Sequence, residues 1–258
     1  MTERLRAEAL DLGYGERRVV EGLDLEIPDR AFTAIVGPNA CGKSTILRSL
    51  VRLLGPRAGE VLLDDRPLGS WRSKPVAREL GFLPQGTVTP DGIRVEGLVR
   101  RGRYAHQSAL GTWTAEDNVA VAAAMADAGV EELAERPVAE LSGGQRQRVW
   151  VAMVLAQQTP YLLLDEPTTF LDIAHQHELL RLLRGLVDDG RTVVAVLHDL
   201  NQACRFADRV VALRDGRVVA AGAPAEVVDA RLVEDVFGLP CDVVPDPVTG
   251  TPMVVPHA

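Results

Sequence analysis

The chain has 258 residues, enough for one large domain or two small ones. A formal charge of −8 argues against a nucleic-acid binder that works through bulk charge, and 4% aromatics beside plentiful aliphatics suits an α/β protein with buried strands. Met1 to Ala9 alternates charged and apolar residues and carries no export signal, and no apolar run approaches the ~20 residues needed to span a bilayer.

In chain order, the first predicted strand is Ala31–Val36, short and apolar. It runs into Gly37-Pro38-Asn39-Ala40-Cys41-Gly42-Lys43-Ser44-Thr45, a P-loop. Backbone N–H groups of such a loop wrap a polyphosphate, Lys43 is placed to reach the β- and γ-phosphates, and Ser44 to ligate Mg²⁺. Thr45–Leu54 is predicted to be a helix whose N-terminus favours the anion. A disulfide at Cys41 would obstruct nucleotide, so Cys41, Cys204 and Cys241 are read as thiols of a reducing cytosol.

Asp64-Asp65 signals a hairpin. From Gly86 to about Pro137 the chain changes character. The basic residues Arg94, Arg100, Arg101 and Arg103 precede an Ala-rich helix predicted over Val119–Ala128. This stretch is read as a helical insert. Leu141-Ser142-Gly143-Gly144-Gln145 then opens another helix. Two glycines beside a Ser hydroxyl make a second anion cradle. One nucleotide rarely needs two such cradles, so one is free to serve a neighbour's.

Tyr161–Leu164 is an apolar strand that delivers Asp165 and Glu166 at its carboxyl end, where open α/β sheets bind ligands. Asp165 is expected to hold Mg²⁺ through water, and Glu166 to orient or deprotonate an attacking water. A solvated acidic turn is the bland alternative. Leu179, Leu182, Leu183 and Leu186 have helical spacing, with Gly190 as a stop. His175 and His177, two apart, point to different helix faces and are read as surface residues rather than a metal site. Thr192–Leu197 is a strand ending at His198. Val210–Leu213 and Arg217–Ala221 form a strand pair about Asp215-Gly216.

Taken together, these segments resemble the ATPase subunit of ATP-binding-cassette (ABC) transporters, with Leu141–Gln145 as the family signature. The resemblance covers Leu5 to about Val255. It implies an α/β P-loop NTPase core with an antiparallel β subdomain, residues 1–85 and 138–258, and a helical subdomain insert of about 86–137. It implies ATP and Mg²⁺ as ligands. By the same likeness Tyr14 stacks on adenine, Gln85 adds a Mg²⁺ ligand and senses the membrane partner, Asp172 lies in a loop crossing between two subunits, and His198 contacts the γ-phosphate. Two departures stand out: Ala40 and Arg30 occupy places where the family usually carries Gly, at a cost of about 1 kcal/mol wherever φ is positive.

A narrower resemblance lies in Gly102–His106, Pro167–His175, His198–Asp208 and the ending Phe237-Gly238 through Pro245–Met253. These are similar to ATPases of ferric-siderophore importers. The alternatives are haem or vitamin B12 import, or a soluble ABC ATPase of iron–sulfur assembly. The implied assembly is a head-to-tail dimer that holds two ATP. Each ATP would lie between Gly37–Thr45 of one copy and Ser142–Gly144 of the other. The implied partners are a separate membrane permease and, indirectly, a siderophore-binding protein, with no nucleic acid. The implied location is peripheral, on the cytoplasmic face of the inner membrane. The insert is the expected docking surface, with Trp113 and the Arg94–Arg103 cluster as contacts; a solvated basic face is the alternative for that cluster.

Overall fold

The structure is a computed structural model that describes residues 3–86, 88–107 and 112–257. It divides into two compact units, Met1–Trp71 with Arg184–Ala258, and Arg72–Leu183. Thr87 and residues 108–111 of the expected insert lie outside the described residues.

The chain begins with β1 (Leu5–Tyr14), β2 (Arg17–Ile27), β3 (Phe32–Val36), α1 (Lys43–Leu50), β4 (Ala58–Leu63) and β5 (Arg66–Pro67). Next come α2 (Ser73–Glu79), β6 (Leu80–Leu83), α3 (Val95–Arg100), α4 (Ala115–Asp127), α5 (Gly143–Leu155), β7 (Tyr161–Asp165) and α6 (Ile173–Asp188). The rest is β8 (Thr192–Val196), α7 (Leu200–Phe206), β9 (Arg209–Arg214), β10 (Arg217–Gly222), α8 (Pro224–Val227), α9 (Ala230–Phe237), β11 (Cys241–Pro245) and β12 (Pro252–Pro256).

In the first unit β3 lies between β8 and β9 and is parallel to both, while β10 returns antiparallel along β9. Every residue of β3 and β8 is buried, as expected for unbroken apolar runs covered on both faces. A second sheet runs in the order β2-β1-β4-β5, all antiparallel. Its first two strands have no clean period in the sequence because β1 slips register near Ala9, where φ is 46°. Asp24 Oδ1 accepts the Ala9 N–H at 2.8 Å and Asp11 Oδ1 accepts that of Gly22 at 2.7 Å, so side chains satisfy what the bulge removes from the ladder.

The second unit holds the parallel pair β6 and β7, in register from Leu80 with Tyr161 to Leu83 with Leu164. Helices α3, α4 and α5 pack on one another. The expected Ala-rich helix starts earlier than Val119, because Thr114 caps it and trades hydrogen bonds with Asp117. Helix α1 ends earlier than expected, at Leu50, with Arg52 left-handed at φ 61°. One assignment needs correction: Arg103 does not belong to a surface cluster. It is buried, with Nε donating to Asp117 at 2.8 Å and Nη1 to the Ala156 carbonyl and Gln158 Oε1, each at 2.9 Å. A run of arginines does not say which of them points inward. Arg94 pairs with Glu135 and Arg100 with Glu96 on the surface.

Candidate functional site

In the first unit the P-loop leaves the carboxyl end of β3 and enters α1. Gly37 and Gly42 have φ of 151° and 108°. A Cβ on Gly37 would stand 2.2 Å from the Leu213 carbonyl oxygen, so the loop's contact with β9 requires glycine there. No side chain caps α1, which suits its first N–H groups to an anion. Lys43 is only 5% exposed, and its ammonium donates to the Gly37 and Pro38 carbonyls at 2.8 and 2.7 Å, directly over the loop. The tip of the β9–β10 hairpin supports the loop from another side, where Gly216 N–H donates to the Cys41 carbonyl at 3.0 Å. These features fit a polyphosphate: an uncapped helix N-terminus behind a glycine-bounded backbone loop, with one fixed cation.

Both departures fall where they cost something. Arg30 and Ala40 are left-handed at φ 54° and 61°, so each carries about 1 kcal/mol of strain that glycine would not.

Tyr14 stands at the β1–β2 turn, 45% exposed, and its hydroxyl accepts from Arg48 of α1 at 3.3 Å. That bond ties the ring to the helix that begins at Lys43. His198 is exposed just past β8, and Leu197 N–H donates to the Ile35 carbonyl at 3.1 Å. The register of β3 with β8 therefore brings His198 and Gly37 out at the same end of neighbouring strands. The next residue, Asp199, caps α7 by accepting from Asn201 and Gln202.

In the second unit the register of β6 with β7 likewise brings Gln85, Asp165 and Glu166 out at one sheet end. Asp165 is fully buried and Glu166 is 9% exposed. Glu166 is left-handed at φ 55°, an uncommon state for a non-glycine residue and one that clusters at functional sites. Thr169 Oγ1 donates to its carboxylate at 3.3 Å.

Ser142 caps α5. Its hydroxyl accepts from Gln145 N–H at 3.2 Å while Gln145 Oε1 accepts from Ser142 N–H at 3.1 Å. Accepting that bond spends none of the hydroxyl's donor capacity. The exposed Phe170 borders Gly143 and Gly144. Asp172 accepts from His175 N–H at 2.9 Å and faces its Nδ1 at 2.8 Å, and these bonds hold its carboxyl below the usual range.

Two residues that the sequence did not single out fix this segment. Gln147 donates to the Pro167 carbonyl at 3.0 Å, and Gln176 to those of Thr168 and Leu171 at 3.3 and 3.1 Å. The signal for Gln147 was a polar residue on the apolar stripe of α5, in line with Val151 and Val154. Elsewhere on this unit Gly97, Arg100, Arg101, Tyr104, Gln107 and Trp113 line an open groove of about 540 Å³, where the Arg100 guanidinium stacks 4.0 Å from the Trp113 ring. No helix among the described residues is long and apolar enough to cross a membrane.

The comparisons with known proteins agree with this geometry. A family profile described as ABC transporter matches residues 20–169. The ferric enterobactin transport ATP-binding protein FepC of Escherichia coli K12 is 56% identical, over 99% of this chain and 96% of that protein. The petrobactin import ATP-binding protein FpuD of Bacillus anthracis is 50% identical, over 100% of this chain and 94% of that protein. Among solved structures, the post-hydrolysis dimer of the ATP-binding cassette MJ0796, bound to ADP and Pi, superposes with a TM-score of 0.76 at 29% identity. It covers 85% of this chain and 98% of that one.

Proposed function

The chain belongs to the ABC transporter family, and on that premise we propose that it is the ATP-hydrolysing subunit of an importer for ferric siderophores. One observation carries the cargo. The general family profile stops at residue 169, whereas the likeness to siderophore transport subunits continues through the rest of the chain at 56% and 50% identity, above the 44% and 40% of hemin import subunits that span the same stretch. The added stretch includes β9 to β12, most of which does no nucleotide chemistry and is free to follow a particular transport system. The cargo itself is inferred by analogy with those relatives.

In this reading Gly37, Pro38, Asn39, Ala40, Cys41, Gly42 and Thr45 supply the backbone cradle, and Lys43 offsets the charge of the β- and γ-phosphates. Tyr14 stacks on the base. Ser44, Gln85 and Asp165 are the residues that would hold Mg²⁺, which when bound neutralises charge on the transferring phosphoryl group. Glu166 takes a proton from the attacking water, and His198 contacts the γ-phosphate. Ser142, Gly143, Gly144 and Gln145 serve the ATP of a second copy arranged head to tail, and Asp172 crosses between the copies. ATP then joins two copies through charge, and loss of the γ-phosphate releases them. The groove at Arg100, Tyr104 and Trp113 receives the permease, on the cytoplasmic face of the membrane. A siderophore-binding protein supplies cargo from the other side.

Uptake decides the matter. A deletion strain with no second such ATPase should lose accumulation of labelled ferric siderophore while keeping that of unrelated solutes. Wild-type accumulation in that strain overturns the cargo reading; loss of haem or corrinoid uptake in its place identifies the cargo that replaces it.

A further inference from the structure

Two segments of the narrower resemblance, 198–208 and the tail from Pro245, are bonded to each other. Asn201, in the first turn of α7, spends both arms of its amide on one residue of β12. Its Nδ2 donates to the Val254 carbonyl at 3.2 Å, and its Oδ1 accepts the Val254 N–H at 2.7 Å. Arg205, four residues on and therefore on the same helix face, forms an ion pair with Asp246 at the start of the β11–β12 turn. Asp246 is 8% exposed, and its other oxygen accepts from the N–H groups of Val248 and Thr249 at 2.8 and 3.0 Å. One carboxylate thus closes the turn and holds Arg205. Those bonds keep it ionised, with a pKa lowered to about 2.

Covering apolar surface does not account for this attachment. Cys241 and Val254 are the only buried residues of the two strands. The contacts to α7 are polar and directional, and such contacts fix orientation more than they add stability. What α7 orients is adjacent. Asp199 caps it, and His198 precedes that cap. On the other side of His198, Leu197 is bonded into the sheet at Ile35. His198 therefore joins a strand held by β3 to a helix that packs on β3 and is hydrogen-bonded to the hairpin.

We propose that the β11–β12 hairpin is a positioning clamp for His198, acting through Asn201 and Arg205. The proposal rests on the reading of His198 as the γ-phosphate contact. Asn201 and Arg205 are positioning residues: each fixes α7, and with it the backbone turn at Asp199 from which the His198 imidazole projects.

The test uses the full chain and the variants Asn201→Ala, Arg205→Ala, Arg205→Lys and His198→Ala. ATPase turnover should fall on the order of 10-fold in Asn201→Ala and Arg205→Ala through loss of alignment, while KM for ATP stays within about twofold, since the cradle is untouched. Arg205→Lys, which keeps the charge opposite Asp246, should recover most of the loss. In parallel, the imidazole NMR signals report position. The His198 signal should move in Asn201→Ala, while those of His106 and His175 hold.

A lowered melting temperature with unchanged kcat and an unmoved His198 signal overturns the clamp and leaves a merely structural hairpin. A rise in KM at constant kcat overturns it as well. If His198→Ala itself keeps full turnover, the γ-phosphate reading of His198 fails separately. The clamp is then judged by the NMR signal alone: displacement supports it, and no displacement overturns it.

Discussion

Removing the carboxylate of Asp117 should unfold the second unit at a markedly lower temperature. The side chains of Arg103 and Asp117 are 6% and 4% exposed, and the guanidinium has one carboxylate among its partners, the others being a carbonyl and an amide oxygen. Asp117→Ala would leave a covered cation without its counter-charge, at about 3 kcal/mol, the lower end for breaking a buried pair. It also strips half of the capping box of α4, since Asp117 Oδ2 accepts from Thr114 N–H at 3.0 Å; a lost cap adds about 1 kcal/mol. At 2–4 °C per kcal/mol, a total of about 4 kcal/mol lowers the midpoint by roughly 8–16 °C. Differential scanning calorimetry reads this directly. The pH dependence supplies a second check. The Arg103 hydrogen bond holds the Asp117 carboxyl below its ordinary value, so its contribution is fully present above the unfolded pKa near ~3.9 and is lost as pH falls through the folded one. The variant should therefore lose less stability on acidification than wild type. A midpoint within about 2 °C of wild type at neutral pH would refute the argument, by showing that water screens the pair.

Glu166→Gln should keep ATP binding but stop hydrolysis, because an amide cannot accept the proton; sedimentation in ATP and Mg²⁺ should show accumulated dimer, and a monomer or normal turnover rules out Glu166 as the base. Gly37→Ala would place its Cβ 2.2 Å from the Leu213 carbonyl oxygen, so the loop must shift, and turnover should fall on the order of 100-fold. Wild-type ATPase activity in Gly37→Ala would show that the loop does not need its contact with β9.

The segments proposed to face nucleotide were legible because each is local. Gly37–Thr45, Leu141–Gln145 and Asp165–Glu166 carry their chemistry in a few consecutive residues flanked by an apolar strand or a helix. The strand predictions at β3, β7, β8 and β9 held for the same reason: buried parallel strands read as unbroken apolar runs; β10, antiparallel and mostly outside the core, was legible from the Asp215-Gly216 turn instead. Strands β1 and β2 were not predicted, since bulges shift their apolar residues between faces and the outward positions carry charge. Arg103 was misplaced because its partners, Asp117, Ala156 and Gln158, are distant in sequence and only the fold assembles them. The left-handed backbone of Glu166 has no sequence signal, as only a glycine would have announced it.

The position of β3 has a consequence for synthesis. Both of its neighbours, β8 and β9, are translated only after the whole of Arg72–Leu183 has emerged. The second unit is continuous and can collapse while the ribosome is still working, whereas the strand that carries Gly37 waits with both edges unpaired. The Cys41 carbonyl, which supports the loop, waits longer still, for Gly216. A nascent chain therefore carries the whole P-loop sequence long before it can grip ATP, and competence arrives only once β9 and Gly216 have been made. An exposed apolar strand of this kind is also the segment that a chaperone would need to shield during that interval.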